Sequence, residues 1–413
     1  METTSNEQIF NQFESELKEW GKSGKTPDTA SLDLGYSMGL QHKRLQSNGI
    51  TADYKFKSRG KGLDDVFTFG GNKDNGNFKS TTSVAHYKLT KIFYKSGSRT
   101  SKYKRNRMFY TMITRLLNQD ADAVCCCPNC GAISDIKTLL GGCPHCKTKF
   151  IMNDLFPKVT NYLFVDDYAE NRKSMAKALL LWTLIPAAAL AVYFGIANYK
   201  NLGMSFSYIF SIIAATFTGA FAGYILWAMQ LVTRLVVKSI LSIPSMGRLY
   251  SAKRNLSKCM KQIDNNFSYE YFVGKIISLM KMMIFSDDYS NLAVYEGRPA
   301  ENRFKDIIDV DFTGVIRLNS FNINGNYCYV DMNIYTKDYV IKGNSIRRRN
   351  DVFRINVCRN IHTLQNPDFS LKRVECRGCG ASFDATREHN CPYCKTPYHL
   401  GDDDWVVLNF GKV

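Results

Sequence analysis

Two uncharged, apolar stretches in the middle of the chain decide its fold: ALLLWTLIPAAALAVYFGIANY, residues 178–199, and NLGMSFSYIFSIIAATFTGAFAGYILWAMQLVT, residues 201–233. A helix of roughly 20 apolar residues crosses the hydrocarbon core of a bilayer. The stretches therefore predict a transmembrane helical hairpin over 176–233, with helices at about 178–199 and 206–231. The alternative is a buried helical hairpin in the core of a large soluble domain.

Small residues recur at every fourth position of both stretches. They are Ala187, Ala191 and Gly195 in the first stretch, and Ala215, Gly219 and Gly223 in the second. This spacing lets two helices in lipid approach closely, so the pattern predicts direct contact between them.

Positive charge flanks the hairpin on both sides, and only Lys200 lies in the short link between the helices. The flanking residues are Arg172, Lys173, Lys177, Arg234, Lys238, Arg248, Lys253 and Arg254. Because positive flanks stay on the cytoplasmic side, both termini are predicted to be cytoplasmic. Residues 234–262 predict a basic juxtamembrane helix suited to anionic membrane lipids, or an ordinary linker helix. The N-terminus shows no cleavable secretory signal.

The cysteines are the second informative feature, because eight of the 13 form four C-x2-C pairs. The eight are Cys127, Cys130, Cys143 and Cys146 in the first half, and Cys376, Cys379, Cys391 and Cys394 in the second. Two such pairs supply the four thiolates of a closed tetrahedral site, so each set predicts a structural Zn²⁺ ion. Disulfides or iron are the alternatives. Cys125 and Cys126 leave the register of the first set ambiguous, and His145 is a bystander in this interpretation.

The two halves of the chain share anchors upstream of their cysteine sets. Asn106-x2-Phe109-x5-Arg115 corresponds to Asn350-x2-Phe353-x5-Arg359, and an apolar strand-like stretch follows each set. The halves therefore look like divergent copies of one unit, an internal duplication. The predicted order is an α+β domain over 1–170 with a zinc ribbon at 125–150, the hairpin, the linker helix, and an α+β domain over 263–413 with a ribbon at 374–398.

The second half has the clearer pattern. A helix is predicted from YEYFVGKIISLMKMMIFSD, followed by a hairpin of strands that turns at Asn324-Gly325, then YVIKG and DVFRINVCR as further strands. Residues 267–410 resemble the Tim-forty-four-like domain family, closest to bacterial membrane proteins that combine this domain with a zinc ribbon. The resemblance is based on the opening helix FSYEYFVGKIISLM, the long strands at Val310 to Leu318 and Asn326 to Tyr335, and the final stretch DDDWVVLNF. The resemblance implies a cone-shaped domain of the nuclear-transport-factor-two-like type in a bacterial cell membrane, and a role in transport.

No nucleotide-binding, hydrolase or metalloprotease motif occurs, so the sequence predicts no catalytic residues and no enzyme. A formal charge of +17 indicates an anionic membrane surface or nucleic acid as a partner. The favoured hypothesis is a membrane-tethered binding module with a protein segment or lipid as its client. The alternatives are a membrane-anchored nucleic-acid binder, suggested by the basic run Lys102 to Arg107, and a thiol or zinc sensor.

Overall fold

The computed structural model describes most of the chain. The described residues are 6–59, 72–74, 78–116, 124–126, 130, 132–135, 138–139, 143–146, 157–167, 172–202, 206–265, 267–290, 292–362, 373–376, 378–379, 382–384, 389–402 and 404–413. They form an α+β structure with two antiparallel sheets, two long apolar helices between them in sequence, and two cysteine clusters. This agrees with the predicted fold class at that level of detail.

The first sheet begins after two amphipathic helices, α1 (Asn6–Ser23) and α2 (Leu32–Ser47). Its strands are β1 (Ile50–Ser58), β2 (Asn72–Asp74), β3 (Phe78–Lys95), β4 (Ser98–Leu116) and β7 (Lys158–Asp166). They pair in the order β1-β3-β4-β7, and β2 adds to β3. Helix α1 buries Phe13, Leu17 and Trp20 against one face of this sheet, where Phe109 is also fully enclosed.

The second sheet contains β8 (Ile307–Asn324), β9 (Tyr327–Lys342), β10 (Ser345–Asn360) and β13 (Val406–Lys412), in the order β8-β9-β10-β13. The predicted helix before it is confirmed as α5 (Tyr269–Phe285), which Ser268 caps by accepting a hydrogen bond from the Tyr271 amide. The predicted turn is confirmed at Gly325, which has a φ of 58°. The stretch YVIKG is not a separate strand, because Thr336 to Asp338 continue the pairing of β9 with β10.

In both halves the cysteine cluster occurs at the same point along the chain, directly before the last strand of the sheet. The short pair β5 (Val124–Cys126) and β6 (Ile133–Asp135) lies between β4 and β7, and the pair β11 (Arg373–Glu375) and β12 (Ser382–Asp384) lies between β10 and β13. The anchor phenylalanines also match, since Phe109 stacks on Phe164 of the last strand and Phe353 stacks on Phe410.

The segments before and after the apolar helices belong to one compact unit. Ile308, Tyr339 and Ile346 from the second half complete the core of the first half. Helix α2 packs on α5, and the side chain of Gln41 donates a hydrogen bond of 2.9 Å to Asp309. Each half therefore has its own hydrophobic core, and side chains of the second half complete the core of the first, so the two halves pack together as one compact unit.

The two apolar helices are α3 (Arg172–Leu202) and α4 (Phe206–Met260). The segments Met175–Tyr199 and Phe206–Thr233 are long and apolar enough to cross a membrane, and only 6% and 17% of their most apolar windows are buried. The segment predicted as a separate linker, 234–262, continues α4 without a break as far as Met260.

Contact between these helices at the small residues is confirmed. A Cβ atom added to Gly223 would lie 1.9 Å from the carbonyl oxygen of Trp182, and one added to Gly219 would lie 2.6 Å from that of Pro186. The hydroxyl of Tyr208 also donates a hydrogen bond to the carbonyl of Gly195. Two glycines thus allow the helix backbones to touch, as close packing in lipid requires.

We expect Gly223→Ala to separate the two helices and to destabilise the hairpin by about 1–3 kcal/mol, because the methyl group has no space against a neighbouring backbone. Gly195→Ala is the matched control, since its added Cβ would lie 3.7 Å from the nearest side-chain atom. Thermal unfolding in detergent, combined with cysteine crosslinking between the helices, measures both effects. Equal stability of the two variants would contradict the predicted packing.

Candidate metal centres

The C-terminal cluster brings together two cysteine pairs that are separated by 11 residues in sequence. The Sγ atoms of Cys376, Cys379, Cys391 and Cys394 all lie within 4.8 Å of one another. Cys376 and Cys394 are 3.4 Å apart at sulfur, and Cys379 and Cys391 are 3.7 Å apart. These separations far exceed the ~2.05 Å of a disulfide bond. They approach the roughly 3.8 Å that follows for the edge of a tetrahedron with metal–sulfur bonds of about 2.3 Å.

Backbone and hydroxyl groups around this cluster favour thiolates. The amide of Gly378 donates to the sulfur of Cys376 at 3.3 Å, and the hydroxyl of Thr396 lies 3.1 Å from the sulfur of Cys394. The hydrogen bond from Thr396, together with those from the neighbouring cysteines, lowers the pKa of Cys394 to about 6. A cysteine in this state is a ready metal ligand, because the thiolate is the species that binds metal.

The turn that carries the second cysteine pair has a specific backbone shape. The amide of Cys391 bonds to the carbonyl of Thr396, the amide of Lys395 bonds back to the carbonyl of Cys391, and Lys395 has a φ of 64°. Gly378 faces this turn from the other pair, where a Cβ atom would lie 2.4 Å from the Thr396 hydroxyl oxygen. Glycine at 378 therefore allows the two pairs to approach each other.

The C-terminal cluster is attached to the hydrophobic core of the second sheet. Cys376 and Cys391 are buried in the core that includes Trp405 and Val406, whereas Cys379 and Cys394 are exposed. A ring nitrogen of His389 lies 2.9 Å from the carbonyl oxygen of Tyr295. Tyr295 forms a parallel bridge with Val407 of β13, so this contact links the cysteine loop to a segment that pairs with the last strand. Two of the four cysteines thus belong to the hydrophobic core, and the other two are exposed at the surface.

The N-terminal cluster contains three described cysteines. The Sγ atoms of Cys130, Cys143 and Cys146 lie within 4.8 Å of one another, and Cys130 and Cys143 are 3.7 Å apart. The predicted fourth ligand, Cys127, lies outside the described residues. The structure therefore shows two cysteine clusters that can bind metal ions, with four and three described ligands.

Four aspartates that occur in short acidic runs of the sequence contact basic side chains in the structure. Asp166 lies 2.8 Å from Arg107, Asp167 lies 3.1 Å from His86, and Asp287 lies 3.1 Å from Arg44. A similar contact of 2.6 Å joins Asp404 to Lys275. These carboxylates therefore tie elements of the compact unit together.

A buried charged cluster between the two halves was not predicted. Lys91 of β3 lies 2.7 Å from Asp309 and 2.6 Å from Asp311, both on β8, and all three side chains are at least 96% buried. The hydroxyls of Tyr54 and Tyr339 donate to these two carboxylates. Burial alone would lower the pKa of Lys91, but the two carboxylates raise it above its ordinary value. Because the groups come from four strands, β1, β3, β8 and β9, no local sequence signal marks the cluster.

Comparisons of the chain with known protein families, with curated proteins and with solved structures find no match.

Proposed function

We propose that the protein is a membrane-tethered zinc-ribbon module that binds a protein segment or a lipid at the cytoplasmic face of a membrane. The observation that carries this proposal is the helical hairpin, whose large apolar side chains point outward. Exposed examples along both helices are Leu180, Leu181, Leu184, Ile185, Val192, Ile196, Phe210, Phe217, Phe221 and Met229. Such a surface is favourable in hydrocarbon and marks an interaction site when it occurs in a soluble protein.

The cytoplasmic orientation and the metal support each other. Basic residues flank the hairpin before its first helix and after its second. Because such residues stay on the cytoplasmic side of a membrane, this charge distribution favours a cytoplasmic location of the compact unit. The cytoplasm keeps thiols reduced, as thiolate ligands require. In the C-terminal ribbon, four cysteine sulfurs at tetrahedral spacing leave no open position for a substrate, so Zn²⁺ has a structural role in this proposal. The same role is proposed for the N-terminal ribbon, in which three cysteines are described.

The outer face of the second sheet is the proposed client surface. On β8, β9 and β10 it presents Arg317, Asn333, Tyr335 and Arg354, and the opposite face of these strands packs on α5. Arg317 and Arg354 are exposed, and Tyr335 is half-buried. An open sheet with an aromatic ring and paired polar groups can bind an extended segment or a lipid headgroup. The resemblance of residues 267–410 to the Tim-forty-four-like family is consistent with such a role.

Photocrosslinking in cells tests this surface. A photoreactive amino acid at Arg317 or Tyr335 is expected to capture a polypeptide or lipid, whereas the same group at Lys342, the exposed last residue of β9, is expected to capture much less. Mass spectrometry of the adducts identifies the client. Equal capture at all three positions, or none, would count against the client surface.

A second candidate, binding of nucleic acid, rests on the outer face of the first sheet. Five exposed lysines meet there on adjacent strands: Lys55, Lys57, Lys88, Lys102 and Lys104. Lys57 lies directly opposite Lys88. Like charges in this arrangement destabilise a sheet, and an anionic partner would relieve the repulsion.

Salt dependence tests the second candidate. Removing three of these charges with Lys57→Gln, Lys88→Gln and Lys104→Gln is expected to weaken duplex DNA binding and to lower the slope of log affinity against log salt by up to about 3, close to one for each lost phosphate contact. The control removes the same charge at Lys258, Lys305 and Lys342, which are also exposed. Equal slopes for the two triple variants would exclude this face as a nucleic-acid site.

A further inference from the structure

Arg348 on β10 has hydrogen-bond donors without acceptors. Its Nε and Nη2 atoms are both buried, and neither has a hydrogen-bond partner among the described residues. Buried polar groups in proteins nearly always have a partner, so two orphan donors on one side chain require an explanation. They lie on the same edge of the guanidinium group, the edge that binds a planar oxyanion through two parallel hydrogen bonds.

Arg354, on the same strand, shows what this edge does when an acceptor is present. Its Nε atom lies 3.0 Å from each carboxylate oxygen of Asp331, and its Nη2 atom lies 2.7 Å from Oδ2. Arg348 offers the same pair of donors, but no ion pair joins it to a carboxylate in the described part of the chain. The two arginines thus differ in whether the chain supplies the oxyanion.

The surroundings of Arg348 already contain more positive than negative charge. Asp166, the nearby carboxylate, binds Lys337 at 2.5 Å and Arg107 at 2.8 Å. Burial would raise the pKa of Asp166, but the hydrogen bond from Lys337 and the charges of Arg107, Lys337 and Arg348 hold it below its ordinary value. Asp311, also nearby, is occupied by Lys91. Each of these carboxylates is therefore committed to another cation, and no carboxylate among the described residues forms an ion pair with Arg348.

Cross-strand pairing places Arg348 between the two halves of the compact unit. It lies opposite Tyr339 on β9, and the ring of Tyr339 packs edge-on against Tyr103 of β4. Arg348 itself is half-buried, so part of its side chain remains open to solvent. Its Nε and Nη2 atoms are themselves buried, so an oxyanion reaches them only when neighbouring side chains move aside.

We propose that Arg348 is the anchor of an oxyanion site that takes a phosphate or carboxylate group, with Lys337 and Arg107 supplying additional positive potential. The two oxygens of the ligand accept from Nε and Nη2 of Arg348, as those of Asp331 do from Arg354. Arginine suits this role because its planar fork matches two oxygens of one anion, whereas lysine offers a point charge. The site is independent of the membrane tether and of the client surface.

Anion-dependent stability of the full-length protein in detergent tests the site. Increasing inorganic phosphate, at constant ionic strength adjusted with chloride, is expected to raise the unfolding temperature in a saturable way. Arg348→Gln should abolish this increase, and Arg348→Lys should weaken binding at least tenfold. Arg347→Gln is the matched control, because it removes the same charge from an exposed neighbour whose side chain points to the other face of the strand. Circular dichroism establishes that each variant is folded.

The source of the oxyanion is tested in parallel with short-chain phosphatidic acid. Saturable stabilisation by inorganic phosphate identifies a free solute, and stabilisation by phosphatidic acid alone identifies a lipid headgroup. Either result supports the site if it is lost in Arg348→Gln and retained in Arg347→Gln. The proposal is overturned if neither compound stabilises the parent protein, or if Arg348→Gln responds as the parent does.

Discussion

If the C-terminal cysteine cluster binds zinc as proposed, replacing Cys379 by serine is expected to remove that ion and to unfold the C-terminal cysteine loop. Cys379 is exposed, so the substitution removes few packing contacts. A large loss of stability would therefore come from the loss of the metal ion. Structural zinc contributes on the order of 10 kcal/mol or more to the folding of small zinc peptides. Loss of the ion therefore removes the main force that holds the two cysteine pairs together.

The consequences should extend into the second sheet. Cys376 and Cys391 share a core with Trp405 and Val406, so release of the loop exposes the start of β13. Elemental analysis gives the zinc content, and limited proteolysis followed by mass spectrometry locates the exposed segment. Cys259→Ser is the control, since this cysteine lies outside both clusters. Unchanged zinc content and protease resistance in Cys379→Ser would show that the cluster is not a zinc site.

Lys91→Met is expected to destabilise the compact unit by about 3–5 kcal/mol, the usual effect of removing one partner from a buried ion pair. The reason is that Asp309 and Asp311 would remain buried without their cation. Chemical denaturation of the detergent-solubilised protein, monitored by tryptophan fluorescence, measures the loss. Because Lys91 and the two aspartates come from different halves, both halves should unfold in one transition at a lower denaturant concentration.

Two further variants separate charge from packing. Lys88→Met removes the same side chain from the exposed face of the same strand and should change the free energy of unfolding by no more than about 0.5 kcal/mol. Adding Asp309→Asn and Asp311→Asn to Lys91→Met should recover part of the loss, because the two buried carboxylate charges are then removed as well. If Lys91→Met and Lys88→Met were equally stable, the buried cluster would not hold the halves together.

The features that local sequence could predict are those set by short-range periodicity or spacing. Glycine at 219 and 223 predicted the close helix contact, and Asn324-Gly325 predicted the turn between β8 and β9. The division of β9 into two strands was wrong because Thr336 and Asp338 look polar in sequence. In the structure the hydroxyl of Thr336 donates to the Asp338 carboxylate, so both polar side chains can stay buried within one continuous strand.

The sequence by itself determined the apolar hairpin and the cysteine ligand sets, because hydrophobic length and C-x2-C spacing act over a few neighbouring residues. Only the tertiary structure decided that side chains of the second half complete the core of the first, that Lys91 lies between Asp309 and Asp311, and that two donors of Arg348 have no acceptor among the described residues. Those features depend on strands separated by more than 200 residues. Their contacts form only when the sheets pack, and the burial that makes a charge or an unpaired donor significant exists only in the folded chain.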